Sequence, residues 1–167
     1  METHYREEYE RLQIYVKARG AVLTERFGSG QDGLVYATNR ESAVKGLRFA
    51  KLFKNERDVY LRLAEHECDE IAGFAVPRMI DSDDELWIVE MQIVSPPFIV
   101  DFAGASLDIR PRILREMSVE DWTEWQEERI EMFGDDWPKV EAVMAELRKM
   151  GIYLSDVKPG NITVRNR

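Results

Sequence analysis

Three groups suited to phosphoryl chemistry crowd into the run Gly151-Ile152-Tyr153-Leu154-Ser155-Asp156-Val157-Lys158-Pro159-Gly160-Asn161-Ile162-Thr163-Val164: a carboxylate at Asp156, an ammonium at Lys158 and a carboxamide at Asn161. In the spelling Asp-x-Lys-Pro-x-Asn, the carboxylate can orient a hydroxyl or accept its proton. The ammonium can face phosphate charge, and the amide oxygen can hold a metal ion. Pro159 fixes its own φ and pushes Lys158 into an extended conformation. The segment reads as a helix end, a polar loop and a short strand. Asp, Gly, Pro and Asn also favour an ordinary surface turn, so partners elsewhere in the chain must decide.

The first partner is Gly28-Ser29-Gly30-Gln31-Asp32-Gly33. It lies between two predicted strands, residues 21–27 and 34–38, rather than at the start of a helix, as a dinucleotide-binding fold would require. Backbone amides can approach a phosphate closely where no Cβ intervenes. A turn at 39–41 leads to a third strand, Ser42 to Leu47, which carries Lys45. Phe49 to about Cys68 reads as a helix with Phe49, Leu52, Phe53, Val59, Tyr60 and Leu63 on its apolar side. Glu56 shares that side. A buried carboxylate requires a partner, and Lys45 is the cation the neighbouring strand can supply; a place at the stripe's edge, reaching water, is the alternative.

Other elements frame these groups. Thr3 to Arg19 predicts a helix with Tyr5, Tyr9, Leu12 and Val16 on one stripe and Gly20 as its stop. Residues 73–80 and 85–91 read as strands joined by a turn at 81–84, which makes five antiparallel strands with one helix inserted after the third. Ser95-Pro96-Pro97 marks a hinge. The stretch from Phe98 to Asp108 is ambiguous. Ser118-Val119-Glu120-Asp121 resembles a capping box, opening a helix with Trp122, Trp125, Met132 and Phe133 on one side and Gly134 at its end. Trp137-Pro138 starts another helix, with Trp137, Val140, Met144, Leu147 and Gly151 as a buried stripe.

At 167 residues the chain can bury a core in one compact unit without disulfides. A single cysteine, Cys68, excludes an internal disulfide. A net charge of -9 without a basic stripe argues against nucleic acid as a partner. No run has the length of a membrane span and the N-terminus has no secretory apolar core, so the cytoplasm is expected.

Taken in order, these pieces resemble the protein kinase family over roughly residues 21–165. Gly28, Gly30, Gly33 and Val35 match its glycine-rich loop, Gly-x-Gly-x-x-Gly-x-Val; Ala43-Val44-Lys45 its third-strand lysine motif; and Gly151 to Val164 its catalytic loop. Glu56 is the best-placed counterpart of its helix-C glutamate, with Glu65 and Glu67 as alternatives. The resemblance implies an α+β fold: a helix at 1–20, an N-lobe at 21–95 and a small, mostly helical C-lobe at 96–167, cut short, with its catalytic-type loop at 151–161. It implies ATP and Mg2+ as cofactors. Gly28, Ser29, Gly30 and Gly33 would cover the phosphates, and Lys45, held by Glu56, would contact them. Val35 and Ala43 would roof the adenine near Met91. Asp156 would act on the acceptor hydroxyl, Lys158 on the transferring group, and Asn161 on the metal.

The sequence departs from the pattern at Leu154-Ser155, where the family has His-Arg. Its second metal carboxylate, in an Asp-Phe-Gly, follows the catalytic loop and is expected beyond Arg167. Asp101-Phe102-Ala103-Gly104 carries similar letters but precedes the catalytic loop, so it is not assigned that role; a replacement carboxylate from Asp101 or Asp108 is left as an open question. The leading expectation is a minimal phosphotransferase acting on a Ser/Thr-type hydroxyl. The alternatives are a pseudokinase that binds nucleotide or a protein partner, and a small-molecule phosphotransferase of the aminoglycoside or choline type. An apolar surface on the shortened lobe would be capped by Trp122, Trp125 and Trp137 or covered by another copy of the chain.

Overall fold

Alternation along two central strands places the site. The computed structural model describes residues 5–164. The first residues of the predicted helix, Thr3 and His4, and the last three of the expected C-lobe lie outside them. Strands β1 (Leu23–Gly30), β2 (Gly33–Thr38), β3 (Ser42–Leu47), β6 (Met79–Asp83) and β7 (Ile88–Gln92) form an antiparallel sheet in the order β1-β2-β3-β7-β6. Successive side chains point to opposite faces. Val44 and Ile88 therefore meet helix α1 (Arg6–Ala18) through Leu12, Tyr15 and Val16. Ala43, Lys45, Val89 and Met91 face the other way, toward α2 (Ala50–Glu65) and its Phe53, Glu56, Tyr60 and Leu63. Each fully buried large apolar side chain contributes about 1.5–3 kcal/mol, so both helices are fixed to the sheet. The expected α+β architecture, five antiparallel strands with a helix after the third, is present.

Several boundaries differ from expectation. Phe49 caps α2 rather than lining it and is exposed, and the helix stops at Glu65 because Glu67 adopts φ 50. The strands expected at 73–80 and 85–91 are shifted. Asp83 Oδ1 accepts from the Glu85 and Leu86 amides and moves the turn to 84–87. Pro77, which has no N–H to give a ladder, separates β6 from Phe74–Ala75. That pair is β5, in a second sheet with β4 (Glu70–Ile71), β8 (Phe98–Ile99) and β11 (Ile162–Thr163) in the order β11-β8-β5-β4.

Beyond Pro111 the chain is mostly helical: α3 (Arg112–Glu116), α4 (Val119–Phe133), a 3-10 turn (Gly134–Asp136) and α5 (Trp137–Lys149). The ambiguous stretch resolves into β8 and β9 (Ser106–Leu107), and β9 pairs with β10 (Ile152–Tyr153). The predicted capping box forms, with Ser118 Oγ accepting from the Asp121 amide and Asp121 Oδ2 from the Ser118 amide. Phe133 and Trp137 are buried, whereas Met132 is exposed. Trp122 stacks on Trp125 at 5.0 Å, and Trp125 packs edge-on against Trp137. Arg62, on α2, donates to Asp108 and to the Met150 carbonyl, tying the upper helix to the end of α5.

Candidate active site

The glycine run is tighter than predicted. β1 continues to Gly30, which pairs with Gly33 across the two-residue turn Gln31-Asp32, and β2 follows at once, so no helix opens after the third glycine. Gly33 is dictated by packing: a Cβ there would lie 2.1 Å from the Gly46 carbonyl oxygen. Gly28 and Gly30 are not. A Cβ on either would meet nothing within 4 Å, and neither has positive φ.

Beneath this hairpin, Lys45 Nζ donates to Glu56 Oε2 at 2.7 Å and to Asp101 Oδ1 at 3.1 Å. Glu56 is 0% exposed, so the alternative of a carboxylate reaching water is excluded. Glu65 and Glu67 are exposed and face away. Burial alone would lower the Lys45 pKa, but the two carboxylates outweigh it and hold the ammonium well above its ordinary range. Burial pushes Glu56 up to about 7; Lys45 offsets part of this, and the Asp101 charge adds to it. The two shifts have different leading causes: burial for Glu56, and for Lys45 the two carboxylates that a single cation serves. The second oxygen, Glu56 Oε1, is buried with no hydrogen-bond partner among the described residues.

Asp101 is one of the two carboxylates that the sequence left open. It precedes the catalytic-type loop in the chain, and β8, which leads into it, pairs antiparallel with β11, which follows Asn161. The Val100 amide donates to the Asn161 carbonyl at 3.1 Å. Phe102 is fully buried and packs edge-on against Tyr60 of α2 at 5.3 Å. Asn55 of α2 donates to the Ala103 carbonyl, and Ser155 donates to the Gly104 carbonyl at 2.5 Å. The loop is thus clamped from above and below. Asp108 lies elsewhere, exposed and paired with Arg62.

In the terminal loop, Lys158 Nζ sits 2.5 Å from Asp156 Oδ2, both about half exposed. That pairing raises the Lys158 pKa. Asn161 is buried, and its Nδ2 donates to both the backbone carbonyl and Oδ2 of Asp156. Its Oδ1 is left as an acceptor. Asp32, Asp101, Asp156 and Asn161 line one cleft between hairpin and loop, so residues at both ends of the chain converge. The cleft measures about 10 Å³, room for roughly one water. Burial, then the Asp101 charge, raises the Asp32 pKa.

Other predicted residues flank the cleft. Ser29 is exposed at the hairpin. Ala43 pairs with Met91 across β3 and β7, while Val35 packs partly buried nearby. Met91 is turned into the core, where its sulfur accepts from the Tyr60 hydroxyl at 3.4 Å. Asp32, Asn55 and Ser155 were not anticipated at the cleft; Asp101 was an open candidate, signalled by its Asp-Phe-x-Gly spelling.

Among the described residues no helix is long and apolar enough to cross a membrane, and no group of three or more His, Cys, Asp or Glu could hold a metal. A magnesium site need not contain one. Mg2+ commonly uses one or two carboxylates and completes its shell with phosphate and water. The oxygen donors Asp101 and Asn161 fit that chemistry.

No family model and no curated protein matches the sequence. Among solved structures it is similar to the gentamicin-APH(2")-IIa complex (TM-score 0.43, 14% identity), covering 96% of this chain and 43% of that one. It is also similar to the ADP-bound aminoglycoside phosphotransferase APH(2'')-Ib (TM-score 0.40, 15% identity, 96% and 42%). A third is the streptomycin-ATP-APH(2")-IIa ternary complex (TM-score 0.37, 16% identity, 88% and 42%). The chain spans less than half the length of these structures.

Proposed function

We propose that this chain is a kinase-like phosphotransferase that moves the γ-phosphoryl group of ATP to a hydroxyl. One observation carries the reading: Lys45 is bonded to Asp101, and Asp101 lines the same cleft as Asp156 and Asn161. Lys45 would hold the α- and β-phosphates, kept in position by Glu56. Gly28 and Gly30, which the fold itself does not require to be glycine, would admit the phosphates close to the hairpin backbone. Asp156 would orient the acceptor hydroxyl and take its proton as the oxygen attacks the γ-phosphorus. The bond to the β–γ bridging oxygen breaks and ADP leaves, with Lys158 facing the charge of the transferring group. Asp101 and Asn161 would hold Mg2+, which neutralises phosphate charge.

Because the closed cleft has room for about one water, the Asp32 turn must lift to admit nucleotide. The phosphates would then replace carboxylate partners on Lys45 and Lys158. The pseudokinase alternative rested on a missing second carboxylate, and the position of Asp101 supports the catalytic reading instead. A Ser/Thr-type side chain and a small molecule both offer the required hydroxyl. Labelled-phosphate transfer from ATP to a panel of hydroxyl acceptors tests the proposal, with melting shifts by ATP and Mg2+ as the binding control. We expect transfer by the native chain and none by Asp156→Asn or Asp101→Asn. Nucleotide binding without transfer to any acceptor would leave the pseudokinase reading.

A further inference from the structure

A larger concavity opens beside the cleft. It has a volume of about 750 Å³ and lies between α3, α4, α5 and β10, and its lining includes Leu154, which also lines the catalytic-type cleft. That size falls within the roughly 300–1,000 Å³ typical of small-molecule sites. Its wall carries the stacked pair Trp122 and Trp125, with the Arg110 guanidinium 5.2 Å from the Trp122 ring centre. Arg115 and Arg148 complete a basic rim, faced by one acidic lining residue, Glu141.

The charge is out of character for the chain. Thirty-two acidic residues outnumber 23 basic ones, and neighbouring arginines find carboxylates: Arg112 pairs with Glu116, and Arg129 with Glu128. Among the described residues Arg110, Arg115 and Arg148 form no ion pair, although all three are exposed at the groove. Arg148 Nε is held by the Met144 carbonyl. Unpaired guanidinium groups beside flat indole faces suit a ligand with a planar apolar body and an anionic group, since arginine binds carboxylate or phosphate through a planar fork. They oppose a polycation.

We infer that this groove is the acceptor site and that the acceptor is a small hydroxyl compound with a planar apolar body and a carboxylate or phosphate. Its hydroxyl would reach Asp156 past Leu154. The inference rests on the phosphotransferase reading for the reaction but not for binding.

The test uses 6-hydroxy-2-naphthoate, its neutral carboxamide and the polycation gentamicin as probes. Binding is followed by tryptophan fluorescence and calorimetry, and the ATP-dependent melting shift is recorded alongside. The naphthoate should bind at least tenfold tighter than the carboxamide. The exposed-site double variant Arg110→Glu/Arg115→Glu should lose at least tenfold on the naphthoate and less than twofold on the carboxamide, with its ATP shift intact. Phosphate transfer to the naphthoate hydroxyl should fall with binding. Equal affinity for naphthoate and carboxamide, no loss in the double variant, or tighter binding of gentamicin would overturn the inference. An ATP shift with no naphthoate binding overturns the groove alone. Naphthoate binding that follows the arginines in a protein with no ATP shift keeps the anionic site and removes the phosphotransferase reading.

Discussion

Two lysine–carboxylate pairs of similar length behave as different physical objects. Lys45 and Glu56 meet at 2.7 Å with side chains 7% and 0% exposed, whereas Lys158 and Asp156 meet at 2.5 Å with 52% and 46% exposed. The first pair has given up its hydration and is held by packing on all sides. The second stays in water, screened, and can exchange partners at little cost. A phosphoryl-transfer site needs both kinds: a fixed anchor for the part of ATP that stays and an adaptable group for the part that moves.

The largest expected effect breaks the buried pair. Lys45→Met should destabilise the chain by about 3–5 kcal/mol in urea unfolding, because Glu56 loses its cation and must either stay charged in an apolar site or take up a proton there. Lys45→Met/Glu56→Leu should recover most of that loss while remaining inactive; equal stability of the single and double variants would contradict the contrast.

Next is Lys158→Ala, with stability within about 1 kcal/mol of the native chain and a transfer rate lower by about 10²-fold, the usual scale for removing one charge-stabilising group. A loss of stability as large as that of Lys45→Met would erase the difference between the pairs.

A third test is pH. The folded-state pKa of Glu56 is raised from 4.5 to about 7, so the folded chain holds this proton more tightly than the unfolded one. Stability should therefore fall as pH rises from about 4.5 to about 7 and then level off. The fall should be present in the native chain and absent from Glu56→Gln, so the melting temperature of the native chain relative to the variant should drop between pH 5 and pH 8; the same pH dependence in both proteins would contradict the raised Glu56 pKa. The smallest effect is at the hairpin: Asp32→Asn removes a carboxylate from the cleft and should tighten ATP binding by a few-fold, measured by calorimetry.

Legibility followed the distance between partners. Lys45 and Glu56 could be read because two local periods, 2 on the strand and 3.6 on the helix, turn them to the same layer. Asp156, Lys158 and Asn161 could be read as neighbours because one loop holds all three. Asp101 was left open because chain order does not give spatial order, which the β8–β11 pairing sets. Asn55 and Ser155 carried no signal: each is an ordinary polar residue whose partner is a backbone carbonyl 48 or 51 positions away. The shifted turn at 84–87 depended on one aspartate oxygen binding two amides, a detail that composition does not reveal.

Helix α2 reaches down at three levels: Asn55 to the Ala103 carbonyl, Tyr60 onto Phe102, and Arg62 to Asp108 and the Met150 carbonyl. A rod riveted at three levels resists swinging outward, because such a swing would break all three sets of contacts at once. If the proposed nucleotide site is right, the motion that admits nucleotide would come from the hairpin tip above the rod and would leave the Lys45–Glu56 contact in place.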